Sequence, residues 1–443
     1  MSNIPENKQA LSKKQVAIGI AIIGIVFFVI GFVSWVNSIL IPYFKIACEL
    51  THFQSYFVAF AFYIAYLVMS VPVAYLLKKI GYKKGMMYGF LCLAFGALLF
   101  VPAALSMTYG IFLAGLFSMG TGLAILQAAA NPYITIIGPI ETAARRISIM
   151  GICNKFAGII SPLIFAAVVL GSSQTTLELV ESGTLIGEAK EVALAELLKG
   201  VILPYSILSI LLLAVGLFIR YSVLPELNPE NESKELAEAN SDKTSVFQFP
   251  YLILGVLALF LHVGTQVIAI DTIINYAGSM GIGLLDAKFF PSYTLAATIL
   301  GYILGIILIP KVISQKNALI ICTILGLLLS LGVIYADAEV SLFGHDANIS
   351  IWLLASLGFP NSLIYAGIWP HAIKNLGRFT KIGSSMLVMA LCGNAILPLI
   401  YGKIADLTSL RLGYWVLVPC FLYLIFYAVS GYRITRWSTK NRK

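Results

Sequence analysis

Along this chain apolar positions do not alternate with polar ones; they run on uncharged for about twenty residues or more before a short polar break. A helix rising about 1.5 Å per residue needs roughly 20 apolar residues to cross a bilayer core of about 30 Å, so each run predicts a membrane-spanning helix. Twelve are predicted, at 17–44, 54–77, 85–105, 109–137, 147–170, 201–221, 250–277, 289–310, 318–336, 351–373, 382–401 and 414–432. The first 15 residues are polar, and the run behind them is longer than a secretory signal and lacks a small-residue cleavage end. The first helix is therefore expected to be retained. One long connection, Ser222 to Gln248, contains NPENESKELAEANSDK and reads as a flexible, charged linker. The expected organisation is an all-α membrane protein with a six-helix half over 1–221, a linker over 222–248 and a second six-helix half over 249–443.

The halves share weak internal similarity. SIMGICNKFAGIISPLIF from Ser148 resembles SSMLVMALCGNAILPLIY from Ser384, which brings Gly158 opposite Asn394 and Pro162 opposite Pro398. At nearly the same shift GFVSWVNSILIPYF from Gly31 matches GTQVIAIDTIINYA from Gly264, placing Ser38 opposite Asp271. Two similar shifts point to a repeated unit, as in six-plus-six transporters whose repeats face each other across a cavity.

Composition agrees with the runs: 59% of residues are hydrophobic, 11% are charged and the mean hydropathy is +0.93, outside the soluble range. The net charge of +9 would suit nucleic acid or an anionic ligand if it formed one patch. Its placement instead follows topology. With the N-terminus in the cytoplasm, 22 of the 29 Lys and Arg fall on the cytoplasmic side, 6 on the other, and Lys155 lies within a helix. The positive-inside rule then predicts both termini in the cytoplasm, with the bilayer as partner and no nucleic acid. The six cysteines lack metal or redox spacing, no Walker-type loop occurs, and no His, Asp or Glu cluster marks an enzyme.

Four segments carry a family resemblance: NSILIPYFK at 37–45, GYKKG at 81–85, LQAAANPYIT at 126–135 and GRFTKIGSSMLVMALCGNAILPLIYGKIAD at 377–406. They look like the fucose/galactose/glucose:cation symporter family of the major facilitator superfamily, over essentially all twelve helices. The resemblance implies the major facilitator fold, functional as a monomer in a bacterial inner membrane. It also implies alternating-access uptake of a small sugar, with no cofactor beyond a coupling cation, sodium or proton. The chain departs from fucose/proton members, which resemble it but carry Asp where Ser38 stands and Glu where Gln127 stands. At Lys78 the wider superfamily has an acid. Gln127 followed by AAANPY is closer to the glucose/galactose members, and VIAIDTIINYA resembles a branch with glucose and N-acetylglucosamine permeases. The expected function is cation-coupled uptake of a hexose such as glucose or galactose. An L-fucose/proton symporter, an N-acetylglucosamine or fructose permease, and an uncoupled sugar facilitator are the alternatives.

An ionisable group at the bilayer centre costs at least about 2.5–3.5 kcal/mol, so each one inside a span is a functional candidate. Of the 20 acids only Asp271 lies deep in a predicted span, and Lys155 is the corresponding base. Asp271 is expected to couple the cation, as a proton carrier or as a sodium ligand helped by Thr272 or Asn275. Lys155 is a possible ion-pair partner across the cavity. Sugar sites combine amides with an aromatic platform, which makes Asn37, Gln127, Asn131, Asn154, Gln266, Asn361 and Asn394 binding candidates and Trp35 and Tyr365 stacking candidates. Gln127 and Asn131 share a helix face, with Pro132 expected to kink it. His262 and His371 are not ranked with them, because His262 falls on the opposite face of its helix from Asp271.

Overall fold

A computed structural model of the chain describes residues 13–137, 143–170, 176, 179–180, 185–224, 243–309, 311–376 and 379–437. The polar tail, most of the predicted linker, Arg378 and the last six residues lie outside it. Among the described residues twelve helices are long and apolar enough to cross a membrane. They are α1 Lys14–Ala47, α2 Phe57–Ile80, α3 Tyr82–Leu105, α4 Tyr109–Ile134, α5 Ile149–Val169, α6 Glu188–Tyr221, α7 Pro250–Asp271, α8 Leu284–Leu308, α9 Gln315–Tyr335, α10 Ile349–Ile373, α11 Ile382–Leu407 and α12 Leu410–Val429. Twelve crossings return the chain to the face it started from, called here the terminal face; the other is the far face.

Every predicted run is one of these helices. The largest difference is α6, which begins at Glu188 rather than 201. Its first segment, Glu188–Lys199, has Glu188 and Glu191 in the first turn and Lys199 in the last, which suits the helix dipole. It docks on the far face through an ion pair from Lys190 to Glu49 and a hydrogen bond from the Tyr43 hydroxyl to the Leu197 carbonyl. A charged segment of this kind is invisible to a search for uncharged runs. So is the hairpin of β1 Glu339–Leu342 and β2 His345–Asn348, which turns through Phe343 and Gly344, both at positive φ. Asn348 then caps α10 by accepting the Ser350 N–H at 3.0 Å.

The packing repeats from half to half. In the first half α1 packs on α5, α2 on α4, α3 on α4 and α6; in the second α7 packs on α11, α8 on α10, α9 on α10 and α12. The halves meet where α5 crosses α8 and α2 crosses α11, and the far segment of α1 reaches α7. Helices α1 and α7 are both discontinuous. The first breaks at Val36, between Lys13–Trp35 and Asn37–Ala47; the second breaks at Thr272, between Pro250–Asp271 and Ile273–Gly278. Under the internal alignment these breaks lie within one helical turn of equivalent positions.

The far face is closed between the halves. Asp406, at the end of α11, accepts the His52 and Phe53 N–H groups at 2.9 and 2.8 Å, so one carboxylate holds the start of the short helix His52–Ser55. Tyr56 packs edge-on against Tyr401 below that contact, with ring centroids 5.6 Å apart. Thr51 completes a capping box with Gln54.

Candidate functional site

Asp271 is the last residue of the long segment of α7, completely buried, and neither carboxylate oxygen has a hydrogen-bond partner among the described residues. A bare buried carboxylate is not sustainable; it must hold a proton or a cation. Asn37, at the start of the far segment of α1, is also fully buried, and among the described residues neither of its amide atoms makes a hydrogen bond of good geometry, the Tyr63 phenol being its near neighbour. The Tyr63 phenol lies beside Asn37 and within electrostatic reach of Asp271, as does Tyr56. Asn275 sits across the Thr272 break, where its amide donates to Tyr56 Oη at 3.4 Å. The expected help from Thr272 is not found. Its hydroxyl is bonded to the Ile268 carbonyl at 2.7 Å, which also accepts the Thr272 N–H at 3.2 Å, and to Tyr414 at 2.8 Å.

Lys155 is buried as expected but does not pair with Asp271. The ion pairs among the described residues are Lys190–Glu49 and Arg411–Asp337, whereas Lys155 Nζ lies 4.0 Å from the centre of the Trp35 ring. A cation over an indole face is stabilised without a carboxylate. Trp35 is fixed in turn by its Nε1–H, which donates to Asn154 Oδ1 at 3.2 Å, and by Gly158, where any Cβ would collide with the indole. Gly31 lets α1 cross α5 against the Asn154 backbone. Trp35 is thus a buried support for Lys155, and its ring face is not open for stacking a sugar. The field of Lys155 reaches His262, whose ring nitrogens are buried without partners among the described residues.

A second group lies on α2, α4 and α10. Gln127 Nε2 donates to Tyr66 Oη at 2.7 Å, and the Tyr66 and Tyr63 rings stack at 6.4 Å. Tyr365, within electrostatic reach of Tyr66, stacks on Trp369 with centroids 5.6 Å apart and planes 18° apart. Both rings of that pair are half-buried. Among the remaining amides, Gln266 and Asn394 are half-buried, and Asn394 Oδ1 lacks a partner among the described residues. Asn361 is buried, its oxygen 3.5 Å from the Thr265 hydroxyl and its nitrogen without a partner among the described residues. Asn131 is exposed, one turn beyond Gln127, and its helix runs through Pro132 unbroken to Ile136. Tyr56, Tyr63, Tyr66 and Trp369 were missed in the sequence. The signal was spacing: Tyr63 and Tyr66 are three apart and Tyr365 and Trp369 four apart, each pair on one helix face.

Broken helices facing each other at the join of two repeats, with an unpartnered acid, free amides and a stacked aromatic pair, have the make-up of a transport site. The sequence pattern of the major facilitator superfamily matches residues 23–396. The chain belongs to the major facilitator superfamily. The glucose/galactose transporter of Brucella abortus is 30% identical over 433 residues, covering 97% of this chain and 98% of that protein. The L-fucose-proton symporter of Escherichia coli is 29% identical over 435 residues, covering 96% and 95%. The crystal structure of the superfamily transporter FucP in the outward conformation matches with a TM-score of 0.69 at 27% identity, over 96% of this chain and 100% of that one. Within the superfamily the chain falls in the fucose/galactose/glucose:cation symporter family.

Proposed function

We propose that this protein carries a hexose such as glucose or galactose across the membrane by alternating access, driven by a cation that loads at Asp271. The carrying observation is the Asp271 carboxylate, wholly buried at the break in α7 with both oxygens unpartnered among the described residues. A proton would neutralise it outright. A sodium ion would need further oxygens, and the Asn37 amide and the sugar are the available donors. The names of the relatives favour a sugar, and the amide and aromatic groups around Gln127, Tyr66, Tyr365 and Trp369 suit hydroxyls and C–H faces. Ser38 and Gln127 favour glucose or galactose over L-fucose. Ser38 bonds back to the Trp35 carbonyl at 2.9 Å and offers no charge. The coupling acid has, on this reading, moved from α1 to the equivalent place on α7.

The charge bias along the chain orients the termini to the cytoplasm of a bacterial inner membrane, with one chain as the working unit. The closed far face is then the outer gate.

The test is uptake of radiolabelled glucose, galactose and L-fucose into proteoliposomes, with sodium and pH gradients imposed separately. Glucose or galactose is expected to accumulate under one gradient only. Asp271→Asn should equilibrate the sugar without accumulating it. Wild-type accumulation by Asp271→Asn would place coupling elsewhere, and a wild type that no gradient drives would be a facilitator.

A further inference from the structure

On the terminal face the second half holds a cavity of about 550 Å³ that the sugar pathway does not use. It lies where the start of α7 and the ends of α10 and α12 come together, and it falls within the roughly 300–1,000 Å³ of small-molecule pockets. Its lining includes Lys243, His371, Lys374 and Arg433 and no carboxylate. Neither Lys374 nor Arg433 takes part in an ion pair among the described residues.

The basic groups are directed rather than scattered. The turn before α7 is tied by Gln248, whose Oε1 accepts the Thr244 N–H at 3.0 Å, and this folds Lys243 back so that its Nζ sits 3.9 Å from the centre of the Phe249 ring. Arg433 Nε donates to Tyr432 Oη at 2.9 Å, and the His371 ring stands edge-on to Tyr432 at 4.6 Å. Partial burial pushes the Tyr432 phenol up, but hydrogen bonds from Arg433 and Lys316 and their charges bring it below the ordinary tyrosine value. Lys316, at the start of α9, is thus a further cation at the same point. Beside the cavity Trp437 Nε1 donates to the Phe247 carbonyl at 2.8 Å, and both aromatics are at least half exposed. Tryptophan and tyrosine rings exposed near the ends of spans sit at head-group level in a bilayer.

We propose that this basic cavity binds the phosphate-bearing head group of an anionic membrane phospholipid. Basic pockets between helices on a membrane's cytoplasmic side take such head groups, and the exposed Trp437 beside this one suits head-group depth. Because the cavity joins the returning linker to α10 and α12, a lipid there pins the second half at the terminal face.

The experiment uses the purified full chain, delipidated in neutral detergent, titrated in separate arms with dioleoyl phosphatidylglycerol, dioleoyl phosphatidylcholine and inorganic phosphate. Bound lipid is counted by native mass spectrometry and the unfolding midpoint is followed. Phosphatidylglycerol should bind in preference to phosphatidylcholine. Its affinity should fall about thirtyfold in Lys374→Gln/Arg433→Gln, near 1 kcal/mol for each charge lost, and by no more than about twofold in Lys78→Gln/Lys79→Gln, which removes two exposed charges elsewhere on the same face. Arg433→Lys should keep most of the affinity. Equal losses in the two double variants, no preference between the lipids, or equal protection by phosphate alone would each overturn the proposal. The residues are exposed, and a midpoint matching wild type without lipid confirms that the variants are folded.

Discussion

An amide and a phenol that bond each other have each given up part of what they can offer a sugar, and the Gln127–Tyr66 bond at 2.7 Å is of that kind. Tyr66 orients the Gln127 amide so that its oxygen is left for a hydroxyl donor. Tyr66→Phe removes the acceptor and strands an N–H of the half-buried Gln127 amide, a loss of about 1–3 kcal/mol if the amide cannot turn to another partner. The half-saturating sugar concentration should rise about tenfold or more in Tyr66→Phe. The accumulation ratio at saturating sugar should not change, since the cation is assigned to Asp271. Initial uptake rates over a range of sugar concentrations check both, and a parallel fall in accumulation would contradict this division of labour. At this scale the sequence was uneven as a guide. Asp271 stood out because nothing else acidic interrupts a span. Tyr63, Tyr66 and Trp369 did not, because an aromatic inside an apolar run looks like core until its neighbours are known. The partner of Lys155 was left open for a related reason: a carboxylate is the obvious counterion in a sequence, and an indole 4.0 Å away shows only in three dimensions.

Whole elements carry the gate. The short helix His52–Ser55 belongs to one half and Asp406 to the other, and the two bonds between them close the far face. His52 is half-buried there; burial first, and then the nearby Lys45, push it down from its ordinary value of 6.5 to about 4, against an opposing pull from Asp406. A histidine lowered in the closed form favours closure fully above pH 6.5, and that contribution is lost as the pH falls through 6.5 toward 4. Acidifying the far side from about pH 7 to about pH 5 should therefore open this gate, and His52→Gln should remove most of the response. Spin labels at Leu105 and Leu407, exposed far-face positions in opposite halves, report the distance once the native cysteines are replaced. An unchanged pH response in His52→Gln would assign it to another group. None of this gate was legible in advance, because Asp406 and His52 are 354 positions apart and meet only when the halves close. The breaks in α1 and α7 were legible only in part: the internal alignment paired the two segments, but an apolar run reads the same whether its helix is continuous or broken.

The whole molecule was the most legible scale, since a span is a property summed over about twenty residues and a few misread positions do not change it. How the halves are set against each other was not, because the α5–α8 and α2–α11 contacts join residues far apart in the chain, and a bond such as that from Ser292 Oγ to the Ile159 carbonyl at 2.7 Å leaves no pattern in composition. Orientation is the remaining property of the whole chain, and it rests on charge. Basic residues crowd the segments on the N-terminal side, and moving them across a bilayer is what the positive-inside rule forbids. Two exposed positions separate the possibilities. Phe343 is 76% exposed at the tip of the far-face hairpin, and Arg436 is exposed beyond the end of α12. The six native cysteines, all free thiols, are first replaced. With termini in the cytoplasm, Phe343→Cys should react with a membrane-impermeant maleimide in intact cells, while Arg436→Cys should react only after permeabilisation. The reverse pattern would invert the molecule and turn the closed face inward.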